Sequence, residues 1–149
     1  MRCLLDTNIL LRLVQAKDPN NLALTRAVEG LQDSDVEVCC TAQALRELWH
    51  AATRQESANG LGLSHSEAGA LLQKVVAQCT ILYETESSFT EWRRIVEIDG
   101  ITGAACHDAN RAAIALVNGV DRILTFDGSD FRRFKSAGLT VLEPKDLVL

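Results

Sequence analysis

The sequence contains no long hydrophobic run. No apolar segment approaches the roughly 18 residues that a transmembrane helix needs. An acidic residue, Asp6, lies where a secretory signal peptide would carry its apolar segment. We therefore expect a cytoplasmic protein without a membrane association.

Prolines, cysteine motifs and repeats are also scarce. Only Pro19 and Pro144 interrupt the 149 residues, and no segment is repetitive or low in complexity, which predicts a single domain over residues 1–149. The five cysteines are odd in number and include no C-x-x-C pair, so neither a disulfide framework nor a zinc knuckle is indicated. We expect them to pack as small apolar side chains.

Positive charge is in deficit. The chain has 15 Lys and Arg residues against 20 Asp and Glu residues, a net charge of -5. This balance argues against a general electrostatic grip on phosphate backbones, and it excludes a histone-like or polybasic protein. Any contact with nucleic acid must therefore come from local positive charge.

Short apolar runs alternate along the chain with segments of helical apolar spacing. The runs predicted to form strands cover residues 2–5, 36–40, 80–83, 122–126 and 140–142. Between the second and third of them, residues 42–54 predict a helix with Leu45, Leu48, Trp49 and Ala52 on its buried stripe. Regular alternation of strands and helices predicts a three-layer α/β/α sandwich around a mainly parallel sheet.

Two aspartates follow predicted strands. Asp6 comes after the first strand, and Asp127 comes directly after the strand at residues 122–126. Because open parallel sheets place their sites outside the carboxyl ends of the strands, these carboxylates are candidate functional groups. Each also has a local interpretation, since Asp6 could cap the next helix and Asp127 could belong to a turn.

Two further acids lie on predicted helices among alanines. Glu47 lies away from the apolar stripe of its helix, and Asp108 opens an alanine-rich helix that we expect to be buried. Either acid could face a close-packed cleft. The alternatives are a solvated glutamate for Glu47 and a favourable acid at a helix amino terminus for Asp108.

Convergence of these four acids would require positive charge. Two carboxylates about 6 Å apart repel by roughly 3 kcal/mol at an effective dielectric of about 20. Protons or cations would have to offset that repulsion, and an all-oxygen site selects a hard ion such as Mg²⁺ or Mn²⁺. Without the four acids the chain has 16 acidic against 15 basic residues, so the excess acidity would belong mostly to this site.

Four segments carry a resemblance to a known family. They are L-L-D-T-N at residues 4–8, R-E-L at 46–48, H-D-A-N-R-A-A-I-A at 107–115 and L-T-F-D-G-S-D-F at 124–131. In this order, spread over nearly the full chain, they make the sequence resemble the PIN-domain nucleases, in particular the VapC-type toxins of prokaryotic toxin–antitoxin pairs.

The resemblance implies a metal site and its supports. Asp6, Asp108 and Asp127 would be the metal ligands, and Glu47 would be a ligand or a base acting on the attacking water. Polar supports implied by the same motifs are Thr7, Asn8 and Thr125. Asp130 is an alternative fourth acid, although we favour Asp127 because it lies nearer the strand end.

The resemblance further implies a ribonuclease that hydrolyses RNA phosphodiester bonds, forms a homodimer and is bound by a cognate antitoxin protein. Candidate substrate contacts are Arg111, Arg132 and Arg133, which could equally be solvated or paired with acids. A PIN-domain RNA-processing nuclease that is not a toxin, or a catalytically silent RNA- or protein-binding module, are the alternatives. A phosphatase or receiver domain is disfavoured, because no D-x-D or paired acid follows the first strand.

Overall fold

A computed structural model describes residues 1–147 of the chain, and it confirms the predicted α/β/α sandwich. The strands are Arg2–Leu5 (β1), Glu37–Thr41 (β2), Thr80–Leu82 (β3), Arg122–Leu124 (β4) and Thr140–Leu142 (β5). The α-helices are Thr7–Leu13 (α1), Asn21–Asp33 (α2), Ala42–Thr53 (α3), His65–Gln78 (α4), Glu86–Ile98 (α5), Ala105–Val117 (α6) and Gly128–Phe131 (α7). Short 3₁₀ turns cover Glu56–Ala58, Arg132–Ala137 and Pro144–Asp146.

The five strands form one parallel sheet in the order β3-β2-β1-β4-β5. The chain builds β1, β2 and β3 in one direction and then returns to add β4 on the other side of β1. The strand order therefore reverses between β1 and β4. In open parallel sheets this reversal leaves a crevice at the carboxyl ends of the two strands, where ligands bind.

Helices cover both faces of the sheet, so its central strands are apolar on both sides. Along β1, Cys3 and Leu5 belong to the core formed with α1, α2, α3 and α4, whereas Leu4 belongs to the core formed with α5, α6 and α7. Alternation of side chains along the strand accounts for this division. Four consecutive residues of α6, the alanines 112, 113 and 115 and Ile114, are buried, which lets this helix pack tightly on the sheet.

Several predicted boundaries and contacts differ from the structure. The fourth strand ends at Leu124 rather than at residue 126. The Thr125 N–H still bonds to Leu142 O, but the next two backbone N–H groups bond to side chains, that of Phe126 to Asn8 and that of Asp127 to the Thr125 hydroxyl. On α3, Ala44 replaces Trp49 in the buried stripe, and Trp49 is 38% exposed. The smaller Ala44 side chain faces the packed core, while the indole lies at its margin.

Two other predictions concern the cysteines and the chain as a whole. Three cysteines are buried as expected, and Cys79 and Cys106 are half-buried; all are free thiols. No helix of residues 1–147 is long and apolar enough to cross a membrane. The last two residues of the predicted single domain lie outside the described residues, and the single-domain organisation stays a prediction.

Candidate active site

Asp6 lies at the crevice between β1 and β4, where a functional carboxylate was predicted, and it also caps the next helix. It is the N-cap of α1, and its Oδ1 accepts a hydrogen bond from the Thr7 backbone N–H at 2.9 Å. Its Oδ2 accepts a hydrogen bond of 2.7 Å from the Thr125 hydroxyl, just past the end of β4. The side chain is only 5% exposed, so these two bonds fix a carboxylate at the base of the crevice.

Three of the four predicted acids meet at one guanidinium group, that of Arg111 on α6. Its Nη1 lies 2.9 Å from Asp108 Oδ1, its Nη2 lies 3.3 Å from Glu47 Oε1, and its Nε lies 3.9 Å from Asp6 Oδ1. Arg111 is itself 19% exposed. The expected convergence of Asp6, Glu47 and Asp108 is therefore present, with an arginine as their common counter-ion.

Glu47 reaches this cluster because α3 turns the residue toward α1 and α6 rather than toward open solvent. Its Oε2 accepts a hydrogen bond of 2.8 Å from the Thr7 hydroxyl, and its Oε1 accepts a longer bond from Gln43. Its side chain remains 34% exposed. Thr7 thus links two of the acids, because its backbone N–H donates to Asp6 and its hydroxyl donates to Glu47.

Asp127 joins the cluster through two polar neighbours. Asn8 Nδ2 donates to Asp127 Oδ2 at 2.8 Å and also lies 3.3 Å from the Thr125 hydroxyl oxygen. That hydroxyl oxygen accepts the Asp127 backbone N–H at 3.0 Å while it donates to Asp6. The residues predicted as polar supports therefore connect Asp6 to Asp127, although Asp127 makes no contact with Arg111 among the described residues.

The two most enclosed acids lack sufficient positive charge. Burial raises the pKa of Asp6 above its usual value, against the opposing effects of the Thr125 hydrogen bond and the Arg111 guanidinium. Burial also raises the pKa of Asp108, again opposed by Arg111. The single guanidinium thus leaves the carboxylates incompletely compensated, and further positive charge would stabilise them.

The donor set fits a hard divalent cation in chemistry. It consists of carboxylate, hydroxyl and amide oxygens, which Mg²⁺ and Mn²⁺ prefer. In residues 1–147 no three His, Cys, Asp or Glu side chains are already arranged as metal ligands. The Arg111 guanidinium lies among the acids instead, so a metal at this position would have to displace it.

The remaining candidate residues lie around α7. Asp130 and Arg133 are exposed, and both are near enough to affect the pKa of Asp108 in opposite directions. Arg132 pairs with Glu143 at 2.6 Å, which is the intramolecular alternative to substrate contact. Arg111 is likewise engaged by acids in this structure.

A cavity that was not predicted from the sequence adjoins this cluster. Its walls include Glu47 and Arg111, and also Tyr83 and Asn110, neither of which was a candidate. Tyr83 directly follows β3 in the way that Asp6 follows β1. Position after a parallel strand was thus the signal that could have identified it.

Comparison with protein families gives one match that covers most of the chain. A family model described as PIN domain matches residues 3–136. Among curated proteins, none matches the chain by sequence.

Solved structures extend this comparison at the level of the fold. The chain is similar to the structure of VapBC2 from Rickettsia felis bound to a promoter DNA fragment. The two chains share 18% identity with a TM-score of 0.69, and the match covers 96% of this chain and 98% of that chain. It is also similar to VapBC-1 from nontypeable Haemophilus influenzae, with 16% identity, coverage of 97% and 99%, and a TM-score of 0.69. VapC20 from Mycobacterium tuberculosis, described as a Sarcin-Ricin loop cleaving toxin, shares 20% identity over 93% and 96% of the two chains with a TM-score of 0.61. At such identities the similarity establishes a shared fold.

Proposed function

This chain belongs to the PIN domain family, and on that basis we propose that it is a divalent-metal-dependent endoribonuclease whose site is the acid cluster at the sheet reversal. The observation that carries the proposal is the convergence of Asp6, Glu47 and Asp108 on one cation. Asp127 is joined to them through Asn8 and Thr125. These side chains come from four separate elements, and local helix capping alone does not explain their meeting.

Asp6, Asp108 and Asp127 would hold Mg²⁺ or Mn²⁺. When bound, such an ion lowers the pKa of a coordinated water and neutralises charge on the phosphate undergoing attack. The raised pKa values of Asp6 and Asp108 support this assignment, because both carboxylates favour additional positive charge. We favour Asp127 over Asp130 as the fourth acid, because Asn8 and Thr125 link it to Asp6.

The chain's own residues orient the reacting groups. Thr125 and the Thr7 N–H hold Asp6 in one orientation, and Thr7 Oγ1 holds the Glu47 carboxylate. From that position Glu47 would be a further ligand, or it would take a proton from the attacking water as the water oxygen bonds to phosphorus. The bond from phosphorus to the leaving ribose oxygen breaks, and that oxygen takes a proton from solvent. No side-chain nucleophile is needed for this reaction.

Positive charge at the site would contact the RNA phosphates. Arg111 would turn from the acids to a substrate phosphate once a divalent cation compensates the carboxylates. Arg133 is exposed and near Asp108, which supports a role in substrate contact. Arg132 would have to leave Glu143, but that pair is exposed on the arginine side and such pairs are weak.

The biological role that we propose is that of a toxin in a toxin–antitoxin pair. The support is the similarity in fold to VapBC complexes and to VapC20, which is described as a Sarcin-Ricin loop cleaving toxin. In this role the chain forms a homodimer in the cytoplasm, and a cognate antitoxin protein covers the acid cluster. A PIN-domain nuclease of RNA processing, or a binding module that does not cleave, is the alternative.

RNA cleavage in Mg²⁺, in Mn²⁺ and in EDTA tests the reaction. We expect cleavage by the wild type in either metal, none in EDTA, and none by Asp6→Asn or Asp108→Asn. Asp33→Asn is the matched control, because this exposed acid at the end of α2 lies away from the cluster. Cleavage that survives EDTA and the Asp6 substitution would contradict the proposal.

Two further comparisons address the finer assignments. Asp127→Asn should abolish cleavage like the substitutions of the other two ligands, whereas Asp130→Asn should stay close to the wild type; the reverse result would make Asp130 the fourth acid. Expression of the wild type, but not of Asp6→Asn, should arrest growth if the protein is a toxin. Normal growth with a cleaving wild-type protein would favour the RNA-processing role.

A further inference from the structure

A cavity of about 380 Å³ opens directly beside the acid cluster. Glu47 and Arg111 belong both to the cluster and to the wall of this cavity. Tyr83, at the carboxyl end of β3, and Glu84 also line the cavity. A ligand group bound in the cavity would therefore lie next to a ligand bound at the acid cluster.

The cavity has an apolar floor and an aromatic wall. Leu82 on β3 and Ile114 on α6, each 3% exposed, lie at its base. Tyr83 is 60% exposed even though it is a large aromatic side chain. An exposed aromatic ring over a buried apolar floor is suited to receive the face of a flat ring.

The polar groups of the cavity are suited to the edge of such a ring. Asn110 on α6 is half-buried, and within residues 1–147 its side-chain amide makes no hydrogen bond. It therefore offers an unused donor and an unused acceptor to a bound group. By contrast, the Gln43 amide is occupied by Arg46 and Glu47.

Charge in the cavity does not favour an anion. Its lining carries two cationic side chains, Arg46 and Arg111, and two anionic side chains, Glu47 and Glu84. Without metal, the other acids of the cluster also neutralise Arg111, and with metal our proposal directs Arg111 to the phosphate at the acids rather than to a group in the cavity. The balance favours a neutral, planar group with donor and acceptor edges over a phosphate.

We propose that this cavity is a subsite for one unstacked nucleobase of the RNA, flanking the phosphate held at the acid cluster. The base stacks on Tyr83, and the Asn110 amide forms hydrogen bonds with its edge. Recognition of single-stranded RNA commonly uses such aromatic stacking together with edge contacts. The identity of the ligand as an RNA base rests on the proposed ribonuclease function, and the position of the subsite rests on the cavity itself.

Free nucleosides test the subsite without metal, phosphate or cleavage. Adenosine, guanosine, cytidine and uridine are each titrated into ¹⁵N-labelled protein, and amide shifts are followed by NMR. We expect saturable shifts for the Asn110 side-chain amide and the backbone around Tyr83. These shifts should be lost in Tyr83→Ala and kept in Tyr83→Phe, because the phenyl ring retains the stacking surface.

Single-turnover RNA cleavage at increasing enzyme concentration gives the second readout. Tyr83→Ala should raise the half-saturating concentration about tenfold, in line with the loss of one base–aromatic stack, and leave the maximal rate near that of the wild type. Asn110→Ala should reduce the preference among the four bases. Phe89→Ala is the matched control, since this aromatic residue is 52% exposed and lies outside the cavity, and it should change neither value.

The outcomes separate the subsite from the function. RNA cleavage with no nucleoside shifts, or with Tyr83→Ala indistinguishable from the wild type, overturns the subsite and leaves the ribonuclease intact. Nucleoside shifts that depend on Tyr83 in a protein that does not cleave RNA support the subsite and refute the proposed function. Shifts that persist unchanged in Tyr83→Ala overturn the stacking arrangement.

Discussion

The Arg111 side chain is the cation of the acid cluster in this structure. Its removal should destabilise the folded protein unless another cation compensates the acids. The informative substitution is Arg111→Met, because methionine keeps an unbranched apolar stem of similar packing and removes only the guanidinium. The variant leaves Asp6, Glu47 and Asp108 without the group that lies 2.9 to 3.9 Å from their oxygens.

The expected magnitude follows from distance and burial. A unit charge pair at about 4 Å interacts by roughly 4 kcal/mol at an effective dielectric of about 20, and breaking a buried pair costs about 3–5 kcal/mol. Asp6 is buried, but Glu47 is 34% exposed and Asp108 is 22% exposed. We therefore reduce the expected loss of unfolding free energy to about 2–3 kcal/mol in EDTA.

Divalent metal should reverse much of this loss. A ligand at about 100 times its dissociation constant stabilises the folded state by about 2.7 kcal/mol. In the wild type, metal competes with Arg111 for the acids, whereas in the variant it does not. Mn²⁺ should thus bind Arg111→Met more tightly and stabilise it more than the wild type.

Urea unfolding followed by circular dichroism, in EDTA and in Mn²⁺, measures both effects, and calorimetry gives the Mn²⁺ affinity. Arg93→Met is the control, because Arg93 and Glu97 form a pair in which the side chains are 66% and 61% exposed, and exposed pairs contribute little. If Arg111→Met were as stable as the wild type in EDTA, or if Mn²⁺ stabilised both equally, the assigned role of Arg111 would be refuted.

Two further substitutions test the hydrogen bonds around the sheet. Thr125→Val leaves Asp6 Oδ2 without its 2.7 Å donor and should lower the unfolding free energy by about 1–3 kcal/mol in urea titrations. Thr125→Ser keeps a hydroxyl and should retain most of the wild-type stability. Equal stability of all three proteins would show that this hydrogen bond does not stabilise the fold. Hydrogen bonds from Thr80 and then Arg2 lower the pKa of Glu37 below its usual 4.5, so its contribution to stability is present above pH 4.5 and is lost as pH falls through the lowered pKa. The difference in unfolding free energy between the wild type and Glu37→Gln should therefore shrink as the pH falls. A difference that grows would show that the pKa of Glu37 is not lowered in the folded state.

Asp6 shows why the local and functional interpretations of a residue need not compete. The carboxylate caps α1 with one oxygen and accepts from Thr125 with the other. The cap fixes the side chain at the strand end, and the same position places it at the reversal of strand order. A capping role is thus part of the geometry of the candidate site rather than an argument against it.

Local patterns predicted the elements well because near neighbours determine them. Thr41 and Ser64 cap α3 and α4 through bonds to backbone groups three residues away, and such contacts are readable from spacing alone. The last strand was predicted with its observed bounds, residues 140–142. Errors arose where a distant partner intervened, as at the end of β4, where the Asn8 side chain accepts the Phe126 N–H in place of a neighbouring strand.

The sequence by itself determined the alternation of strands and helices, the acids at strand ends and the negative net charge, since each depends on composition or on residues close in the chain. Only the tertiary structure decided which charges meet. Glu47 and Arg111 are 64 residues apart, and they meet because the fold brings α3 and α6 together. The cavity lined by α3, α6 and the end of β3, with Tyr83 and Asn110 in its wall, likewise forms only in the folded chain, and no periodicity of the sequence predicts it.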